Sequence, residues 1–282
     1  MIAAPISNLI ESNIDPGIKQ AETITPVSIP EAAQIAAFEV QQVLNLLGQL
    51  DGDDWTQPTD CTEWNVRDMT AHLAGACAMW ASWGQFFRQS LLNPHILKTA
   101  VTVDALNRRQ LEDRAGTAPR DLITELSEVG PKAVRTRRNL PGLIRKIRIP
   151  AQPMPGTMSL AYLVDVIYPR DQWMHRMDIC RATGKTLVIT PGHDERLLDL
   201  VMLDIATKLG GKFALIVNIT GALATSYRLG SSEPQAEIDM DYRAINRRSS
   251  GRITPDAALT DVAIRGDKAV AADFLRECEV LY

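Results

Sequence analysis

The sequence predicts a helical first part followed by a small α+β domain, and three patterns carry that assignment. Apolar residues recur at helical spacing through most of the chain up to Thr183. The pattern changes after Gly184, where Thr190-Pro-Gly-His193 reads as a boundary loop. Further on, Ala236, Ile238 and Met240 alternate with Glu237, Asp239 and Asp241, as in a strand with one wet face. The expected division is an N-terminal arm over residues 1–29, a helical bundle over 30–189 and a small α+β domain over 190–282.

The arm holds Pro5, Pro16, Gly17 and Pro26 among many Ser, Thr and Asn residues, so it reads as loosely held. Pro30 suits a first helical turn, and Ile35, Phe38, Val43, Leu46 and Leu47 continue a helix that Gly52 ends. Asn65 suits an N-cap with Asp68 at the third helical position. The helix it starts is predicted to run from Val66 to about Gln89, with Met69, His72, Leu73, Ala76, Met79, Trp80 and Trp83 facing inward.

A third helix spans about Val103 to Ala115, and a fourth from Pro119 is expected to bend or break at Gly130-Pro131. Seven basic residues lie between Lys132 and Arg148, read as a solvated crossover or as a cationic flank over an anionic ligand. A fifth helix, capped by Ser159 and ended by Gly184, contains Pro169, which should kink it just before Asp171. A helix over 194–209, strand-like runs at 212–221, 222–229, 235–242 and 261–266, and a closing helix over 267–277 complete the chain.

A net charge of -4 over 282 residues gives no electrostatic reason to expect a nucleic-acid partner. The first residues lack a basic region followed by an apolar run, and no apolar stretch reaches membrane-spanning length. A cytoplasmic protein with no membrane partner is expected. Cys61, Cys77, Cys180 and Cys278 are scattered without a C-x-x-C, which argues against a thiolate zinc site and a disulfide framework. Cys77 and Cys180 each follow a candidate histidine by five positions and read as core residues.

The chemistry is carried by Asp171 and His175, four residues apart and therefore stacked on one helical face. His72 sits on the apolar face of another helix, where an imidazole needs a partner. Two histidines and a carboxylate hold a divalent metal and leave a coordination position open for chemistry. The bland alternative is a surface Asp/His pair and a satisfied core histidine. Asp178 is an acceptor for a ligating imidazole, a displaced ligand or a partner for Arg181.

Leu50-Asp-Gly-Asp-Asp-Trp55, Glu63-Trp-Asn-Val-Arg-Asp68 and Ala71-His-Leu73 resemble the N-terminal signature of the mycothiol-dependent maleylpyruvate isomerase family, of the DinB/YfiT-like metal-binding superfamily. Tyr168-Pro-Arg-Asp-Gln-Trp-Met-His-Arg-Met-Asp-Ile179 resembles its second ligand signature, and Ser249-Ser-Gly-Arg252 with Ile264-Arg-Gly-Asp267 looks like its sterol-carrier-like C-terminal domain. The resemblance implies a DinB-like four-helix bundle ahead of that domain, and His72, Asp171 and His175 as metal ligands. Asp171 stands where characterised members can carry Glu. The resemblance further implies zinc or another divalent metal, mycothiol or another low-molecular-weight thiol, and isomerisation or S-transfer on a small electrophilic substrate. Arg252 is the candidate for binding a substrate carboxylate. A homodimer is compatible with this reading. The alternative is a non-catalytic metal- and small-molecule-binding or stress-response protein whose second domain takes an apolar molecule. The stretch from about Asn93 to Gly156 matches no motif.

Overall fold

A computed structural model describes residues 17–98 and 101–282. The chain runs through β1 (Ile18–Gln20), α1 (Ile29–Leu47), α2 (Val66–Ala81), α3 (Trp83–Gln89), α4 (Thr102–Glu112), α5 (Pro119–Arg138) and α6 (Gly142–Arg145). A hairpin of β2 (Arg148–Pro150) and β3 (Thr157–Ser159) leads into α7 (Leu160–Tyr162) and α8 (Tyr168–Thr183). After α9 (His193–Leu209) come β4 (Leu215–Thr220), β5 (Thr225–Leu229), β6 (Ala236–Asp241), α10 (Tyr242–Ser249), α11 (Pro255–Thr260), β7 (Ala263–Gly266) and α12 (Lys268–Glu277). Helices α1, α2, α5 and α8 pack on one another, and the five-stranded sheet has the order β1-β5-β4-β6-β7. The fold is thus the helical-then-α+β arrangement that the patterning predicts. No helix among the described residues is long and apolar enough to cross a membrane.

Local chemistry sets several boundaries. The Ser28 hydroxyl accepts from the Glu31 N–H while the Glu31 carboxylate accepts from the Ser28 N–H, so α1 starts with both donors satisfied. Asn65 and Asp68 make the same reciprocal pair at α2. Gly184 ends α8 with φ of 68°, a conformation that L side chains rarely adopt. Pro169 has no N–H for the carbonyl four residues earlier, and just ahead of it the chain winds as a π-helical turn over Leu163–Ile167.

Other expectations are corrected. Residues 18–20 are not part of a loose arm, because β1 pairs in parallel with β5 (Ile18 opposite Ser226). Residues 1–16 of that arm lie outside the described residues. The helix expected from Val66 to Gln89 breaks at Ser82, which is extended at φ -150° and ψ 133°. The break folds α3 back so that the buried Gln89 donates to the Gly75 carbonyl at 2.9 Å. In one straight helix those residues would stand about 21 Å apart. Trp83, expected inward, is 76% exposed as a result.

Helix α5 passes through Gly130-Pro131 unbroken. Leu122, Leu126 and Ala133 are buried along it, and that packing outweighs the missing N–H. Gly130 lets α1 approach: a Cβ there would stand 2.7 Å from Val40 Cγ1. Gly130→Ala is therefore expected to cost about 1–3 kcal/mol by overpacking, read as a lower denaturant midpoint at an unchanged slope.

The basic segment is also more ordered than a solvated crossover. Arg137 is buried with its guanidinium 4.8 Å from the Tyr168 ring centre. Arg145 is buried and donates to Asp165 and to the carbonyls of Arg137 and Leu140. Two buried apolar clusters result, one including Leu47, Met69, Leu73 and Leu126, the other including Leu198, Ile205, Val217 and Phe274. Between them Arg176 donates to Glu39 at 3.0 Å and to Asp194 at 2.6 Å, all three nearly free of solvent. Trp173 Nε1–H donates to the same Asp194, and His193 meets Glu39.

Candidate metal centre

Helix α2 carries His72 and α8 carries Asp171 and His175 into one space. His72 Nε2 is 3.3 Å from Asp171 Oδ2, and His175 Nε2 is 3.1 Å from Asp171 Oδ1. One donor atom from each residue lies within 4.8 Å of the other two. The Trp64 ring stands 4.9 Å from the His72 ring and 6.0 Å from the His175 ring, and so covers one side of the pair.

The far nitrogens are fixed by partners. His72 Nδ1 is 2.8 Å from Gln110 Oε1, Gln110 Nε2 donates to Gln89 Oε1 at 3.0 Å, and Gln89 Nε2 donates to the Gly75 carbonyl. Since each amide gives through nitrogen and accepts through oxygen, the chain of bonds has one consistent direction. It places a proton of His72 on Nδ1 and turns Nε2 to face Asp171. A side chain at Gly75 would destroy this path, because its Cβ would meet Gln110 Cβ at 2.6 Å. On the other imidazole, His175 Nδ1 is 3.1 Å from Asp178 Oδ2, which turns Nε2 toward Asp171 in the same way. Gln110→Leu is expected to weaken metal binding about 10–100-fold by freeing the His72 ring, measured by competition with a chromophoric chelator.

Arg252 reaches this cluster from beyond α10. It donates to both oxygens of Asp178, at 2.9 and 2.7 Å, and lies 3.5 Å from His175 Nδ1 and 3.6 Å from Cys61 Sγ. In this structure the partner of Arg252 is the protein's own buried carboxylate. Asp178 pairs with His175 and Arg252, while Arg181 pairs with Asp60.

Burial would raise the Asp171 carboxyl, but the two imidazoles against it hold it well below the ordinary range. His175 moves the other way: burial opposes its charge, and Asp171 with Asp178 raises it well above the ordinary value. The cluster therefore favours positive charge at its centre. Two keyed imidazoles and an ionised carboxylate fit a divalent cation of the zinc type. Cys61, His175 and Asp178 form a second grouping of ligand atoms within 4.8 Å. There the guanidinium of Arg252 already supplies the cation. Cys77 and Cys180 are buried, and burial raises both thiols, Cys180 to about 11, in keeping with core residues.

His72 and Asp171 also line a cavity of about 1130 Å³. Its walls come from α2 to α6, the β2–β3 hairpin, the turn before α8 and the C-terminal Leu281 and Tyr282, and so include part of the stretch from about Asn93 to Gly156 that matched no motif. Gln110, Gln89, Trp64 and Cys61 were missed as site residues by sequence reasoning. Gln110 alone left a signal, being a polar residue one turn beyond Leu106 on an inward face.

A family model described as the mycothiol maleylpyruvate isomerase N-terminal domain matches residues 37–180. No curated protein matches the sequence. A crystal structure of the mycothiol-dependent maleylpyruvate isomerase is similar at 13% identity, covering 86% of this chain and 95% of that one, with a TM-score of 0.56. A crystal structure of a histidine-to-alanine mutant of that isomerase is similar at 11% identity over the same shares, with a TM-score of 0.52. At these identities the likeness to the solved structures is one of fold.

Proposed function

This chain belongs to the mycothiol maleylpyruvate isomerase family through its N-terminal domain, and from that membership we propose a divalent-metal-dependent enzyme that uses a low-molecular-weight thiol, mycothiol, on an electrophilic substrate. The reaction is cis–trans isomerisation by addition and elimination, or transfer of the thiol group. The observation that carries this reading is the convergence of His72, Asp171 and His175 at the wall of a cavity.

In this proposal those three residues hold the metal, zinc being the first choice. When bound, such a metal lowers the pKa of a thiol at its open position and so presents a thiolate at neutral pH. The protein's own groups prepare that position. Gln110 and Asp178 lock the two imidazoles, each through the nitrogen that faces away from Asp171. Arg252 acts as a positioning residue: its ion pair keeps Asp178 charged and in place behind His175. The helical part carries the ligands, and the C-terminal part, sterol-carrier-like by its motifs, contributes Arg252 to their support.

The test is metal content together with turnover. Purified protein is expected to carry a divalent metal, to lose mycothiol-dependent consumption of an electrophile on treatment with a chelator, and to regain it with zinc. Bound metal without turnover across several thiols and electrophiles would replace this reading with a binding protein.

A further inference from the structure

The cavity at the candidate metal centre is larger than a small substrate needs. Its 1130 Å³ exceeds the roughly 300–1,000 Å³ usual for a drug-sized ligand. Apart from His72 and Asp171 at the ligand end, the surface is dominated by apolar side chains such as Trp80, Phe86, Leu106, Ile149 and Leu163. Among the described lining residues Arg135 is the only cation, and it is exposed. Of the nearby buried cations, Arg145 is held by Asp165 and Arg252 by Asp178, while Arg137 lies over the Tyr168 ring with no hydrogen-bond partner for its guanidinium among the described residues and stands outside the cavity lining.

Large apolar side chains also reach the mouth. Trp83, Val103, Ile144 and Ile147 line the cavity and are nonetheless exposed, Ile147 at 48%. A cavity built for a compact dianion would gather cationic donors at its inner end and a polar rim. This one has a carboxylate at the inner end and walls made mostly of hydrocarbon, with neutral polar groups such as Thr102, Thr136 and Asn139 among the exposed residues.

We propose that the cavity takes an α,β-unsaturated carbonyl compound with a long alkyl or aryl tail, its reactive carbons beside His72 and Asp171 and its tail toward Ile144 and Ile147. The inference rests on the thiol-enzyme reading and names its substrate class. The step balances without a further reactant. The thiol sulfur forms a bond to the β-carbon, the π pair of the C=C bond shifts to the α-carbon, and the proton released from the thiol ends there. A saturated thioether carbonyl results; for a cis substrate, rotation and the reverse elimination return the thiol and give the trans isomer.

The metal-loaded protein is assayed with mycothiol and straight-chain enals from pentenal to undecenal, with maleate as the small dianionic comparison. In parallel, the matching saturated alkanones, which cannot react, are titrated against tryptophan fluorescence. The expected result is a kcat/KM that rises about fourfold per added methylene until the cavity is filled, with alkanone Kd falling in step. The double variant Ile144→Glu, Ile147→Glu should flatten both dependences, and the exposure of both positions keeps the variant folded. Turnover that is independent of tail length, or fastest with maleate, would overturn the inference and leave the thiol enzyme standing. Absence of turnover with every electrophile, but length-dependent alkanone binding, would sink the enzyme and uphold the apolar ligand class. Neither turnover nor alkanone binding would end both.

Discussion

His175→Ala is expected to leave a folded protein that holds no metal and shows no thiol-dependent turnover above background. The imidazole contributes one of three donor atoms, beside those of His72 and Asp171, and its loss leaves one imidazole and a single carboxylate. Loss of an outer partner alone typically lowers metal affinity about 10–100-fold, so removal of a ligand should exceed that range. Folding should survive because the other buried charges keep their partners: Asp178 retains both bonds from Arg252, and His72 retains Gln110. Metal per chain by elemental analysis, beside a thermal melt of the same sample, decides the matter. Wild-type metal content in a folded variant would remove His175 from the ligand set and the proposed chemistry with it.

The second large effect concerns stability. Arg176→Met should destabilise the protein by about 3–5 kcal/mol, because it leaves Glu39 and Asp194 facing each other, nearly free of solvent, without their shared cation. Removing one member of a buried ion pair costs more than the pair ever contributed, since the remaining charge cannot return to water. The measurement is chemical denaturation of the purified variant, and a loss under about 1 kcal/mol would show that water reaches the network. Replacing Arg176, Glu39 and Asp194 together with apolar residues of similar volume should recover most of the loss.

The sequence told most where the interaction was local. The Asn65 cap with Asp68, the stop at Gly184 and the i,i+4 pairing of Asp171 with His175 are contacts within a turn or two of helix, and each is found as read. The alternation along β6 is likewise a local pattern, and it matches the buried and half-buried residues there. What escaped depends on distant partners. Nothing near Ser82 signals a break, because its reason is the bond from Gln89 to Gly75. Helix α10 is short and rich in polar residues, with Tyr242 and Ile245 as its buried apolar face, and Arg248 is buried beside them against the Leu275 carbonyl and Glu279. Pro131 looked like a breaker until α1 was in place beside Gly130. The partner of Arg252 is a carboxylate 74 positions away that no spacing rule connects to it.

Helix α8 contributes Ile179 and Cys180 to one apolar cluster, and Trp173 and Met177 to the other. It is a party wall, and the apparent seam near residue 190 runs past the wall and not through it. Neither half could be excised without a raw hydrophobic flank, so the molecule should melt in a single calorimetric transition whose van't Hoff and measured enthalpies agree. Modularity in the sequence and cooperativity in the folded state are, for this protein, different things.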